Sequence, residues 1–297
     1  MTVIIARELR QQDACHRAPS RRPCPVVEED GWQTRLNMTG QEFHMLLKDK
    51  VFAITGGAAG IGRAAALEAA RQGADVAITD IVPEESVQPI LDAIRAEGRR
   101  ALYLQGDVSA HETATRFITA IIEELGGLDI FVSNAGICPF HAFLDLPPET
   151  LIKTVGVNLL GAYFMVQAAA NQMVSQGRGG AIIAVSSISA LVGGAYQTHY
   201  TPTKAGIHSL MQSSAVALGK FGIRCNSVLP GTIRTAINKE DLSDKTKEEA
   251  MIGRIPLGRL GAPEDLAGPI VFLGSSMASY VTGASLLVDG GCFVNLQ

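Results

Sequence analysis

The sequence predicts an α/β protein built on a single doubly wound, Rossmann-type parallel sheet with helices on both faces. Three observations lead there. From Met45 onward, short β-branched apolar runs alternate with longer segments of helical period. A glycine-rich turn, Gly56-Gly57-Ala58-Ala59-Gly60-Ile61-Gly62, joins the first run to the first helix. Several later runs end in small or polar residues, at the edge where open sheets of this kind bind ligands.

Residues 1 to 44 stand outside this pattern. Pro19, Pro23, Pro25, the Arg21-Arg22 pair and the acidic run Glu28 to Asp30 come with no sustained apolar period, which predicts a poorly ordered extension ahead of a domain over 45–297. The arginines also suit a mitochondrial presequence, but Glu8 and Asp13 argue against one. A third reading makes Met38 or Met45 the true start.

Totals narrow the function classes. With 297 residues, 47% hydrophobic and 18% charged, the chain can bury one large core. Its net charge of −4 and pI of 5.9 give no footprint for nucleic acid or anionic lipid. The five cysteines, Cys15, Cys24, Cys138, Cys225 and Cys292, show neither C-x-x-C spacing nor a companion histidine cluster. Neither a metal site nor a disulfide framework is expected, and a reducing, cytoplasmic setting fits. No uninterrupted apolar run reaches the ~18 to 20 residues of a membrane helix, and no signal-peptide core opens the chain.

The elements then follow in order. Val51 to Thr55 reads as a buried strand, and a helix is expected from about Arg63 to Gln72. Glycines at 56, 60 and 62 let the backbone turn tightly and bring the helix N-terminus against a pyrophosphate. The second strand, Asp75 to Thr79, ends at Asp80, eighteen residues past Gly62. A carboxylate there can accept from both ribose hydroxyls and repels a 2′-phosphate; Ala59 adds no basic group, so NAD is expected over NADP. A solvated aspartate closing a turn is the plainer alternative.

A strand from Ala101 to Gln105 leads to Asp107-Val108, a helix from Ala110 to Glu124 and a strand from Leu128 to Val132. Ser133-Asn134-Ala135-Gly136 follows, where small residues let an adenosine and ribose lie against the backbone. The next helix, Val155 to Val174, is expected to carry Asn158 in its first turn. Its small-residue side, Gly161, Ala162, Ala168 and Ala169, permits close packing against a second subunit.

The run Ala181 to Val185 reads as a strand buried on both faces, placing Ser186 and Ser187 at its end. Thirteen residues past Ser187 comes Tyr200, and Lys204 stands four further on, on the same helix face. An ammonium beside a phenol lowers a pKa that starts near ~10, which would make Tyr200 a proton carrier near neutral pH. Taken alone, the Tyr-Lys spacing is weak. The helix Tyr200 to Phe221 should bury Ile207, Leu210, Met211, Leu218 and Phe221, with His199 and His208 as ordinary helix residues. Cys138 at the ligand edge has two readings, a wall of the sugar site or a bystander thiol, with the second preferred. The strand Arg224 to Leu229 leads to Pro230-Gly231-Thr232-Ile233, then to a polar stretch, Asn238 to Met251, that reads as a mobile lid. A last strand, Ala284 to Val288, precedes Asp289-Gly290-Gly291 and an apolar tail, Phe293 to Leu296.

Taken together, Thr55-Gly-x-x-x-Gly-x-Gly62, Asn134-Ala-Gly136, Asn158, Ser187, Tyr200-x-x-x-Lys204 and Pro230-Gly231 make residues 46–297 resemble the short-chain dehydrogenase/reductase family. The resemblance implies that Tyr200 is the acid/base, that Ser187 polarises the carbonyl oxygen, that Lys204 holds the nicotinamide ribose, and that Asn158 anchors a relay water. It implies cofactor contacts from Gly56, Gly60, Ile61, Gly62, Asp80, Asp107, Val108, Asn134, Ala135, Gly136 and Ile233 besides Tyr200 and Lys204. Ser133 stands where the family often has Asn. Residues 186–195, 197–206 and 222–233 are similar to members that oxidise a free sugar, which implies L-rhamnose oxidation at C1 to the 1,4-lactone. On the same footing the sugar is expected on Ser187, Ser189, Gln197, Tyr200, Thr232 and Asn238, neutral donors and acceptors of the kind a polyol needs. A homotetramer is expected by analogy with many members. Two alternatives stay open: a 3-oxoacyl or secondary-alcohol reductase, and a non-catalytic dinucleotide-binding sensor. The intact Asn158, Ser187, Tyr200 and Lys204 set opposes the sensor.

Overall fold

The computed structural model describes residues 34–36, 42–238 and 243–295. Contacts divide the chain into two units, Met1–His44 and Met45–Gln297. In the first, β1 (Thr34–Leu36) and β2 (Glu42–His44) pair antiparallel with Thr34 opposite His44. The rest of the expected extension, residues 1–33 and 37–41, lies outside the described residues, as do residues 239–242 of the expected lid and the end of the apolar tail from 296.

The second unit holds one sheet of seven strands: β3 (Val51–Thr55), β4 (Asp75–Asp80), β5 (Ala101–Gln105), β6 (Ile130–Ser133), β7 (Gly180–Val185), β8 (Ile223–Pro230) and β9 (Ser285–Val288). All pair in parallel, in the order β5-β4-β3-β6-β7-β8-β9. The order reverses between β3 and β6, and at such a switch point the loops at the strand ends splay apart and leave a crevice. Connecting the strands are α1 (Gly60–Arg71), α2 (Gln88–Ala96), α3 (His111–Leu125), α4 (Pro148–Val155), α5 (Ala162–Gln176), α6 (Thr201–Leu218), α7 (Lys245–Ile252) and α8 (Glu264–Gly274).

Strand alternation sorts the core into two layers. Phe52, Ile54, Val76, Ile78, Ile130 and Val132 point to one side, where α1, α2 and α8 bring Ala66, Leu91 and Ile270. Ala53, Ala77, Phe131 and Ile182 point to the other, against Phe117 of α3, Met165 of α5 and Ile207 of α6. With both faces covered, β3 is buried at every position, which is why it reads as a continuous apolar run. Burying one such aliphatic side chain stabilises the fold by about 1.5–3 kcal/mol, so each layer needs its helices.

Three elements differ from the sequence reading. The helix expected from Val155 starts at Pro148 and runs to Gln176. Pro148 can open the helix because a proline in the first helical turn removes a donor that has no partner there anyway. Asn158 therefore lies mid-helix, in a π turn over Gly156–Gly161, and not in a first turn. By length and composition Pro148–Gln176 passes for a membrane span, but Met165, Val166, Ala169 and Met173 pack it into the second layer. At the far end, α6 stops at Leu218 and Phe221 stands 42% exposed in a short turn closed by Gly222 at φ +71°. Within the expected lid, α7 forms behind an Asp244 cap whose carboxylate accepts from the amides of Thr246 and Lys247.

Candidate active site

The glycine-rich turn leaves β3 with Gly56 at φ +66° and Gly60 at φ +52°, the left-handed region that costs glycine little. A Cβ at Gly62 would sit 2.1 Å from the Gly56 carbonyl oxygen, and one at Gly56 would sit 2.9 Å from Ala135 Cα. The turn is thus folded onto the end of β6 with no room for a side chain. Asn134 fastens it: Nδ2 donates to the carbonyls of Thr55 (2.9 Å) and Gly56 (3.0 Å). The Thr55 hydroxyl oxygen accepts in turn from the amides of Asn134 and Ala135, both at 3.0 Å. Asp80 closes the other side, one carboxylate oxygen accepting from Ala58 N at 3.0 Å and the other from Ile81 N at 2.7 Å.

A cavity of about 660 Å³ runs along these strand ends. Gly56, Gly60, Ile61, Asp80, Asp107 and Val108 line it. Asn134, Ala135, Gly136 and Ile233 line it too, as do Ser187, Ser189, Gln197, Tyr200, Lys204, Thr232 and Asn238. Two of the expected site residues do not reach the wall. Gly62 is buried under the turn, and Asn158 is fully buried, with its Oδ1 3.4 Å from where a Cβ on Gly136 would stand. The bare glycine cradle and the helix N-terminus behind it fit the pyrophosphate of a dinucleotide, and the Asp80 carboxylate fits ribose hydroxyls.

Ser187 lies two residues past β7 and caps the short turn Ile188–Ala190, its hydroxyl oxygen accepting from Ser189 N at 3.0 Å. Tyr200 caps α6 just ahead of its first residue. Lys204 is almost wholly buried and donates from Nζ to the Val185 carbonyl at 2.9 Å; its own carbonyl accepts from the Ser186 hydroxyl at 2.8 Å. Burial pulls the ammonium down to about 8. For Tyr200 the direction is the reverse of the sequence expectation: burial pushes the phenol up, the Cys138 thiol adds to the rise, and only the Ser187 hydroxyl pulls it down. The ammonium lies 5.6 Å from the ring centroid with its hydrogen bond directed at Val185, so desolvation wins.

Asn158 spends its amide on the protein. Oδ1 accepts from Ile137 N at 2.8 Å, while Nδ2 donates to the Ile137 carbonyl at 2.9 Å and to the Thr203 hydroxyl oxygen at 3.2 Å. A relay water on Asn158 would therefore have to use its main chain, which lies within the π turn. On the cavity wall Gln197 donates from Nε2 to Cys138 Sγ at 3.3 Å and accepts at Oε1 from the Ser189 hydroxyl at 3.4 Å. Cys138 lines the cavity, and burial pushes its thiol up. Asn238 brackets its own loop, accepting from Thr235 N at 3.0 Å and donating to the Ile233 carbonyl at 2.8 Å. Of the two histidines, His208 pairs with the Ser285 hydroxyl at 2.8 Å. His199 is buried, with both ring nitrogens unpartnered.

Ser186, placed by the sequence at the strand end without a role, lines the cavity and donates its hydroxyl to the Lys204 carbonyl, while Thr203, which touches the site's framework from behind, was missed; Phe140, Val192 and Met251 of the expected lid give the cavity apolar wall. A hydroxyl in a position that helical period assigns to the core was the available signal for Thr203. Among the described residues, no group of three or more His, Cys, Asp or Glu side chains is placed to hold a metal ion.

Comparison with known proteins gives a consistent picture. A family model described as enoyl-(acyl carrier protein) reductase matches residues 56–292. A protein of Sphingomonas sp. (strain SKA58) named L-rhamnose 1-dehydrogenase (NAD(P)(+)) is 65% identical over 252 residues, covering 85% of this chain and 99% of its own. One of the same name from Azotobacter vinelandii is 63% identical over 256 residues, covering 85% and 100%. Among solved structures, a short-chain type dehydrogenase/reductase from Mycobacterium marinum superposes with a TM-score of 0.79 at 38% identity, covering 83% of this chain and 96% of that one.

Proposed function

This chain belongs to the short-chain dehydrogenase/reductase family of NAD(P)-dependent oxidoreductases, and from that premise we propose that it oxidises an aldose, L-rhamnose above all, at C1 to the 1,4-lactone. The observation that carries the reading is the shared wall of one cavity: Ser187, Tyr200 and Lys204 beside the neutral polar pair Ser189 and Gln197, next to a glycine cradle fit for a dinucleotide.

In this mechanism Tyr200 as phenolate takes the proton from O1 of the sugar. Ser187, whose oxygen accepts from Ser189 N, turns its one hydroxyl proton from the Tyr200 oxygen to O1 when the sugar is bound, support that strengthens as O1 becomes a carbonyl in the transition state. The dinucleotide, when bound, supplies the acceptor for the hydride that leaves C1. Lys204 holds the cofactor ribose and brings positive charge toward the phenolate, while Asn158 fixes the Ile137 turn behind Gly136. Asp80 favours NAD; the two relatives described above are named for both cofactors, so NADP remains an accepted second.

A second reading, a 3-oxoacyl or secondary-alcohol reductase, is favoured by Phe140, Val192 and Met251 on the cavity wall. NADH formation followed spectrophotometrically with L-rhamnose, L-lyxose and L-mannose, beside NADH consumption with a β-ketoester, tests both in one plate. Oxidation of L-rhamnose faster than the other sugars is the expected result; turnover of the β-ketoester alone would replace the first reading with the second.

We propose further that the enzyme is a cytoplasmic homotetramer. The thiols of Cys138, Cys225 and Cys292 are free, which suits a reducing cytoplasm. Ile152, Leu160, Tyr163 and Val216 stand exposed along α4, the π turn, α5 and α6, apolar area that a homotetramer would cover. Light scattering should give about four times 31.4 kDa; a monomer mass would end the idea.

A further inference from the structure

The Tyr-x-x-x-Lys spacing leaves the residues between unspecified, yet one of them is bonded to two members of the site at once. Thr203 is 1% exposed, and its hydroxyl donates to the Tyr200 carbonyl at 2.6 Å while accepting from Asn158 Nδ2 at 3.2 Å. Both hydroxyl capacities are used inside the protein, where an unmade bond is costly. The rest of the Asn158 amide brackets Ile137 on both of its main-chain groups. Asn158 Oδ1 and Lys204 Nζ each stand 3.4 Å from where a Cβ on Gly136 would be. Thr203 therefore joins three separately folded pieces: the turn after β6, the π turn between α4 and α5, and the start of α6.

Helical main-chain bonds already satisfy the Tyr200 carbonyl, which accepts from Thr203 N at 3.0 Å and Lys204 N at 3.1 Å. The Thr203 hydroxyl is thus not needed to form the helix. What it adds is a link across elements, and it is the side-chain hydrogen bond between α6 and Asn158. Resting on the oxidoreductase reading above, we propose that Thr203 is a positioning residue: its hydroxyl sets the register of Tyr200 against the Asn158 turn, and so the aim of the phenol toward Ser187.

A graded series tests this, because the role belongs to the hydroxyl and not to the volume. Thr203→Ser keeps the group, Thr203→Cys weakens it, and Thr203→Val and Thr203→Ala remove it. Loss of one neutral hydrogen bond predicts kcat down by about three- to ten-fold in Thr203→Val and Thr203→Ala, an intermediate value in Thr203→Cys and near wild-type rates in Thr203→Ser. KM for the sugar and Kd for NAD should stay within about two-fold, since the hydroxyl touches neither. The phenol ionisation, followed by ultraviolet difference against Tyr200→Phe, should move up in Thr203→Ala as Ser187 loses its hold. That titration needs no turnover, so an enzyme inactive on every sugar would sink the substrate reading while leaving Thr203 to be judged. If Thr203→Ala keeps wild-type kcat and titration, or if Thr203→Ser falls as far as Thr203→Ala, the proposal is wrong. Should Thr203→Val fail to fold, the order Thr, Ser, Cys, Ala still decides.

Discussion

Lys204 directs its ammonium to the Val185 carbonyl, 2.9 Å away, while standing 5.6 Å from the centroid of the Tyr200 ring. The charge is held beside the phenol without being consumed by it, and almost wholly out of water. A cation in such a place costs stability when the site is empty, and its pKa near 8 says when. Because that value is depressed below the unfolded 10.5, the unfolded chain binds more protons between pH 8 and 10.5. The cost is therefore full below pH 8 and fades as pH rises through that window. We expect Lys204→Met to raise Tm of the unliganded enzyme by at least ~2 °C at pH 7, and by less at pH 10, while abolishing turnover. A lower Tm at pH 7 would contradict this.

Oxidation requires the phenolate, and the buried phenol of Tyr200 holds its proton more tightly than a free one. Initial rates with the sugar should accordingly climb from pH 6 to pH 9. Tyr200→Phe should bind NAD by calorimetry as the wild type does and lose turnover by at least ~10²-fold, and with it the pH dependence. A rate flat across that range in the wild type, or near-normal kcat in the variant, would remove Tyr200 from the chemistry.

Asp80 has two tasks, facing the cavity and bracing Ala58 N at 3.0 Å. The wild type is expected to prefer NAD over NADP by about ten-fold or more in kcat/KM, from lost ribose bonds and phosphate repulsion. Asp80→Ala should narrow the ratio by weakening NAD and not by improving NADP, because the turn loses its brace in either case. Kinetics with both cofactors check it; a variant that gains NADP turnover outright would show that the brace is dispensable.

Gly62 faces a backbone oxygen 2.1 Å from where its Cβ would go, and a backbone cannot turn aside as a side chain can. Gly62→Ala should cost about 1–3 kcal/mol of stability and weaken NAD binding with it. Thermal melts and calorimetry measure both; unchanged values would mean that the turn is looser than its packing suggests.

Much of this was legible because the inner strands β3, β4, β6, β7 and β8 are short and buried on both faces, so their apolar runs stand out from the helical period around them. Ser187, Tyr200 and Lys204 were legible because spacing along one strand and one helix translates directly into position. What escaped depends on the third dimension. The helix start at Pro148 was hidden by a proline that is tolerated only there. The place of Asn158 was hidden because a π turn has no sequence period of its own. The direction of the Tyr200 shift depends on how dry the cavity is, and the bond from Gln197 to Cys138 joins residues far apart in the chain.

The wide turn at Gly156–Gly161 holds one residue more than regular winding between α4 and α5 would need. Because the wide turn absorbs that residue, excising it would let the rod straighten while everything beyond kept nearly the same rotation. Met165, Val166 and Ala169 would stay in the layer they fill, and the loss would fall on Asn158 and its bonds to Ile137 and Thr203. A chain shortened there by one residue would keep its scaffold and lose only the local bracket, which separates folding from function at a single position.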